Sequence, residues 1–166
     1  RAYAGTFERF DQARPPERFD AKSVRDLPRY LDWTEFKERY IQRAVGRVAE
    51  MFKAYGLTGV PITHNFPLGD QRSPMDIPGL EEDLDLAGID MYYQRGDYRA
   101  LKTRCLTLCG TSRFPYSPEF SSGGYHAWPP IDLGDQEFTT LAALMHGVRG
   151  FNFYMLADRE RWYGAP

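Results

Sequence analysis

Apolar residues recur along this chain in two periods, and the two alternate. Phe36, Tyr40, Ala44, Val48, Phe52 and Tyr55 lie three or four apart from Asp32 to Gly56, the spacing of one helix face. Asp32 followed by Glu35 fits a capping box, and Gly56 is a stop signal. A long helix with a single apolar stripe is predicted to lie along the outside of a sheet or barrel. Next come the short apolar run Gly59 to Phe66 (GVPITHNF), a loop rich in glycine and proline over 67–80, and a turn of helix near Glu81 to Leu86. Ala87 to Tyr93 (AGIDMYY) reads as a second strand. A helix from Asp97 to Cys109 carries Tyr98, Leu101, Cys105 and Leu108 on one stripe. Phe114 to Phe120 supplies a third strand. Asp135 to His146 supplies a helix with Phe138, Leu141, Ala142 and Met145 inward, and residues 150–156 (GFNFYML) supply a fourth strand. Residues 1–31, broken at Arg14, Pro15 and Pro16, show no period and read as an irregular approach segment.

Strands alternating with helices imply right-handed βαβ units with parallel strands, hence an α/β fold over 32–166. Polar and aromatic residues gather at the C-terminal end of each strand: His64 and Asn65, Asp90 and Tyr92, Glu119, then Asn152 and Tyr154. A (β/α) barrel builds its active site from those ends, and a flavodoxin-like sheet obeys a similar rule. No glycine-rich phosphate loop follows the first strand, which argues against the second. Four units are half of an eight-stranded barrel, so the chain is either a small open sheet or part of a larger barrel.

Composition narrows the classes. The chain has 166 residues, 42% of them hydrophobic and 15% aromatic, which suits one domain with a real core. A formal charge of −2 gives no electrostatic case for nucleic acid or an anionic membrane, and no apolar run reaches the roughly 20 residues of a membrane span. Cys105 and Cys109 share a helix face, which reads as structural thiols. With His64, His126 and His146 scattered, no metal or other cofactor is assigned.

The segment RFPYSPEFSSGGYHAW, from Arg113 to Trp128, is the best place for chemistry. Pro118 fixes the backbone just before Glu119, and Ser121, Ser122, Gly123 and Gly124 open a loop directly after it. Taken alone, Glu119 is one of 23 acidic residues, and a solvent-facing carboxylate is the simpler reading.

Tyr116 to Gly124 (YSPEFSSGG) together with Ala143 to Met155 (ALMHGVRGFNFYM) resembles the retaining β-galactosidases of glycoside hydrolase family 35 and its relative family 42, enzymes of clan A built on a (β/α)8 barrel. The resemblance spans roughly residues 33–163 and is more specific at its last two strands. It implies the C-terminal half of a barrel, with the four strands here as the fifth to the eighth. It puts the nucleophile on Glu119 at the end of the seventh strand, and Asn152 and Tyr154 near the pocket. Two departures stand out. LADRERWYG replaces the family's Gly-Gly-Thr-Asn continuation, and no Asn-Glu dipeptide, which in the family ends the fourth strand with the general acid/base, occurs in this sequence.

Retaining glycosidases need two carboxyl groups about 5 to 5.5 Å apart. The expected partners are therefore a carbohydrate substrate and the remaining half of the barrel, on the same or another chain, with oligomerisation left open. That half would bring an acid/base Glu whose pKa is raised, and this chain alone would be inactive. Asp90 and Tyr92 are candidates to position Glu119 or to bind a sugar hydroxyl, with a strand-end cap as the alternative for Asp90. Asn65, Asn152 and Tyr154 are substrate-binding candidates, as is His64, for which a satisfied structural histidine at a strand end is the commoner reading. Trp162 and Trp128 are candidates to stack on sugar rings, with ordinary loop packing the alternative and the simpler reading for Trp128. Arg159, within the charged run 158–161 that otherwise reads as a solvated face, is a candidate to bind hydroxyls or an acidic sugar. Two other classes remain: a non-catalytic carbohydrate-binding module, and a structural or interaction α/β domain.

Overall fold

A computed structural model describes residues 8–67, 76–122 and 131–155. Helix α1 (Leu27–Ala54) leads to strand β1 (Thr63–Phe66), short helix α2 (Ile77–Asp83) to β2 (Leu86–Ile89), α3 (Tyr98–Thr111) to β3 (Tyr116–Ser121), and α4 (Leu133–Met145) to β4 (Gly150–Tyr154). Strand β1 pairs with β2 and β3 with β4, both in parallel. A parallel bridge between Met91 and Phe120 joins the two small sheets, with the Met91 amide donating to the Glu119 carbonyl and the Ser121 amide to the Met91 carbonyl. Strands that are neighbours in sequence are thus neighbours in space, in the order β1, β2, β3, β4. This is the alternating parallel α/β arrangement expected from the sequence.

Element limits differ from expectation where backbone chemistry intervenes. Helix α1 begins at Leu27 with Pro28 in its first turn, so Asp32 lies inside the helix and caps nothing. Gly56, at φ +89°, ends it as anticipated. Strand β1 is shorter than the run Gly59 to Phe66, because Pro61 has no N–H for a ladder and Gly59 adopts φ +78°. Helix α2 occupies the end of the stretch expected to be loop. Asp76 caps it by accepting from the Gly79 amide.

The core is one cluster. It runs through Phe66, Leu80, Ile89, Met91, Leu101, Cys105, Leu108, Phe120, Ala143 and Val148. The α3 stripe packs as predicted at Leu101, Cys105 and Leu108, and both cysteines are free thiols. The outer helices do not pack as predicted. On α1 the buried residues are Gly46 and Ala49, while Phe36, Tyr40, Val48, Phe52 and Tyr55 are exposed. On α4, Ala142 is buried, with Asp135, Thr139 and Ala143 beside it, and Phe138, Leu141 and Met145 are exposed. These two helices flank β1 and β4, the strands that lie at the two edges among the described residues.

A glycine and an ion pair between buried Glu81 and exposed Arg113 hold the sheet at its seams. A Cβ on Gly88 would stand 2.3 Å from the Tyr116 carbonyl oxygen and 2.4 Å from Pro118 Cδ, so only glycine lets β2 approach β3 this closely. The buried carboxylate of Glu81 in α2 accepts from Ser112 Oγ at 2.6 Å, from the Arg113 amide at 3.0 Å and from Arg113 Nε at 3.1 Å. The Arg113 guanidinium also reaches the Glu81 carbonyl. This clamp fixes the entry to β3.

Candidate active site at the strand ends

A β-bulge aims Glu119. Ser117 pairs with Phe151 and Phe120 with Phe153, so Pro118 and Glu119 together oppose the single residue Asn152. Pro118 lacks the N–H that a regular ladder would use, and a bulge is where a strand tolerates it. Side chains pin the extra residue. Asn152 Nδ2 donates to the Pro118 carbonyl at 2.9 Å, and Ser117 Oγ donates to the Ile89 carbonyl at 2.9 Å and reaches the Glu119 carbonyl at 3.2 Å. The Glu119 main chain is therefore tied to β2 on one side and to β4 on the other.

Its carboxylate is held by two donors. Tyr92 Oη donates to Oε2 at 2.5 Å, and Asn65 Nδ2 reaches Oε1 at 3.4 Å. Asn65 Nδ2 also donates to Asp90 Oδ2 at 2.9 Å. Asn65 is the penultimate residue of β1, Asp90 and Tyr92 lie just after β2, and all three converge on β3 because the strands are parallel and consecutive. Tyr154, at the end of β4, sets its ring edge-to-face with Tyr92 at 6.5 Å between centroids. The Tyr154–Met155 peptide that follows is cis.

The electrostatics divide the two acids. Asp90 is 3% exposed, and its pKa is pushed up to about 6, first by burial and further by the charge of Glu119, against the opposing hydrogen bond from Asn65. Glu119 is only half-buried, so of the two carboxylates it is the one open to a ligand. Burial, and then the hydrogen bond and charge of Glu119, raise the Tyr92 pKa, which keeps its phenol protonated as a donor. An anchored carboxylate with two donors, an exposed face and aromatic walls can act as a nucleophile or bind a polar ligand.

The structure brings together Asn65, Asp90, Tyr92, Glu119 and Tyr154, and Asn152 of β4, an exposed residue, spends its Nδ2 on the Pro118 carbonyl of the bulge. His64 is not among them. Adjacent strand residues face opposite ways, and His64 lines an apolar groove with Ala44, Val48, Phe52 and Ile62 on the α1 side. Burial there lowers its pKa, which favours the neutral ring. Burial also denies Asp90 the direct sugar contact that the sequence left open. Arg159, Trp162, Trp128 and the charged run 158–161 lie outside the described residues. Ser117 escaped the sequence reading, although a serine one residue before a strand proline is a plausible donor to the bulge that the proline creates. Among the described residues no group of three or more His, Cys, Asp or Glu side chains is arranged to hold a metal ion, and no helix is long and apolar enough to cross a membrane.

No family model, curated protein or solved structure matches this chain.

Proposed function

We propose that this chain is the nucleophile-bearing half of a retaining glycoside hydrolase of the family 35 and 42 type, acting on a β-galactoside. The observation that carries the reading is the Glu119 carboxylate, held at the C-terminal end of β3 by Tyr92 on one oxygen and Asn65 on the other. In the proposed reaction Glu119 attacks the anomeric carbon and forms a glycosyl ester, while a Glu from the complementary half protonates the departing oxygen. That Glu, now a carboxylate, draws a proton from water, which releases the sugar with its configuration retained. Tyr92 and Asn65 hold the attacking group in line, and Tyr154 forms one wall of the sugar site.

The complementary half is inferred from the two edges. Among the described residues strands β1 and β4 each have a ladder on one side only, and each edge carries an apolar groove. One is lined by Val48, Phe52 and Ile62, the other by Leu133, Leu141 and Phe153. Four more βα units, pairing a strand with β1 and another with β4, would cover both grooves and close a (β/α)8 barrel. This reading also accounts for the exposed apolar faces of α1 and α4.

The test uses the protein with both halves of the barrel present, on one polypeptide or two. Wild type is expected to hydrolyse a nitrophenyl β-galactoside. Glu119→Ala is expected to abolish turnover, and sodium azide to restore it with the α-galactosyl azide as product. Turnover by Glu119→Ala without azide contradicts the reading.

A further inference from the structure

Asn65 Nδ2 carries two hydrogens, and the two acceptors around it belong to different acids: Asp90 Oδ2 at 2.9 Å and Glu119 Oε1 at 3.4 Å. A carboxamide in this place has two orientations half a turn apart. In one it offers N–H to Glu119, and in the other its carbonyl oxygen faces the carboxylate and repels it. Both carboxylates, when ionised, can only accept and favour the first orientation, but Asp90 makes the shorter bond, 2.9 Å against 3.4 Å, and is 3% exposed, so it is the acid that holds the amide. We propose that Asp90 is a positioning residue that acts on Glu119 through the Asn65 carboxamide, selecting the orientation in which the amide donates to the nucleophile. Asp90 itself stays away from the sugar. Its second oxygen, Oδ1, is buried with no hydrogen-bond partner among the described residues, so no competing contact there turns the carboxylate away from Asn65. The backbone supports the same geometry, because the Asp90 amide donates to the Phe66 carbonyl at 2.8 Å and so fixes the end of β2 beside the end of β1.

The inference rests on Glu119 being the nucleophile, and the experiment separates the two. In the protein with both barrel halves, kcat on a nitrophenyl β-galactoside is measured for wild type, Asp90→Ala, Asp90→Asn, Asn65→Ala and the double variant Asp90→Ala/Asn65→Ala, with melting temperatures alongside. Asp90→Ala and Asn65→Ala are each expected to lower kcat by about 100-fold, the scale on which a displaced reacting group slows a step. The double variant should be no slower than either single one, because Asp90 acts only through Asn65. Asp90→Asn retains a carbonyl acceptor and should stay within about tenfold of wild type, a difference of about 1.4 kcal/mol. The inference is overturned by full kcat in Asp90→Ala or Asn65→Ala, by losses that multiply in the double variant, or by a loss in Asp90→Asn equal to that in Asp90→Ala. Should Asp90→Ala fail to fold, full kcat in Asn65→Ala alone overturns it. A wild type inactive on every glycoside tried sinks the functional reading and this inference with it, whereas an active wild type with indifferent Asp90 variants sinks the inference alone.

Discussion

The Tyr92 hydroxyl donates to Glu119 Oε2 at 2.5 Å, from a residue just beyond β2 to the bulge in β3. The bond crosses the seam between β2 and β3, which among the described residues is paired by the Met91–Phe120 bridge. Tyr92→Phe removes the donor and leaves the ring. A hydrogen bond to a charged group contributes about 1.5–3 kcal/mol, so kcat should fall roughly 10- to 100-fold with the melting temperature nearly unchanged. Steady-state kinetics beside a thermal melt checks this, and an unchanged kcat would show that Tyr92 does not hold the oxygen that the proposed reaction uses.

Asp90 gives stability a pH dependence whose sign follows from its raised pKa. The folded value of about 6 lies above the ordinary 3.8, so the folded state binds the proton more tightly. The contribution is fully present below about pH 4 and is lost as pH rises through 6. Asp90→Asn does not titrate, so its stability relative to wild type should increase between pH 4 and 6, by about 2–3 kcal/mol, and then level off. Urea melts of both proteins across that range measure the difference. A difference that stays flat would mean that Asp90 titrates like an exposed acid.

Glu81 has the opposite sign. Burial works against its charge, but hydrogen bonds from Ser112 and Arg113 outweigh it and hold the pKa below the ordinary 4.5. Its contribution is present above that value and lost as pH falls below it. Arg113→Ala leaves the buried carboxylate with Ser112 and the main chain only, and should cost about 2–3 kcal/mol at neutral pH. Denaturant melts of Arg113→Ala against wild type test the size of the loss.

Gly88→Ala tests how closely β2 and β3 must approach. With the Tyr116 carbonyl oxygen 2.3 Å from the new Cβ, the strands must separate, at a cost of about 3 kcal/mol. A melting temperature equal to wild type would rule out this close approach.

Much of this arrangement is legible in the sequence, for identifiable reasons. Parallel consecutive strands put their C-terminal ends side by side, so Asn65, Asp90, Tyr92 and Glu119 could be grouped once the alternation of helix and strand was recognised. Period-two alternation also separates Asn65 from His64, a step the grouping of both at one strand end overlooks. Burial on α1 and α4 was not legible. Periodicity shows that Phe36, Tyr40, Phe138 and Leu141 share faces with other apolar residues, but not what covers those faces, and here they are exposed. The bulge was half legible: Pro118 announces a break in the ladder, whereas the Asn152 and Ser117 hydrogen bonds that shape it depend on tertiary pairing.

The claim that Glu119 is a nucleophile is tested most directly by trapping the intermediate it would form. The protein with both barrel halves is incubated with 2-deoxy-2-fluoro-β-galactosyl fluoride, in which attack at C1 expels fluoride and leaves a slowly hydrolysed ester, and the digest is mapped by mass spectrometry. The account predicts one fluorogalactosyl group on the peptide containing Glu119. A label on another carboxylate, or no label on a protein that still hydrolyses β-galactosides, would contradict it.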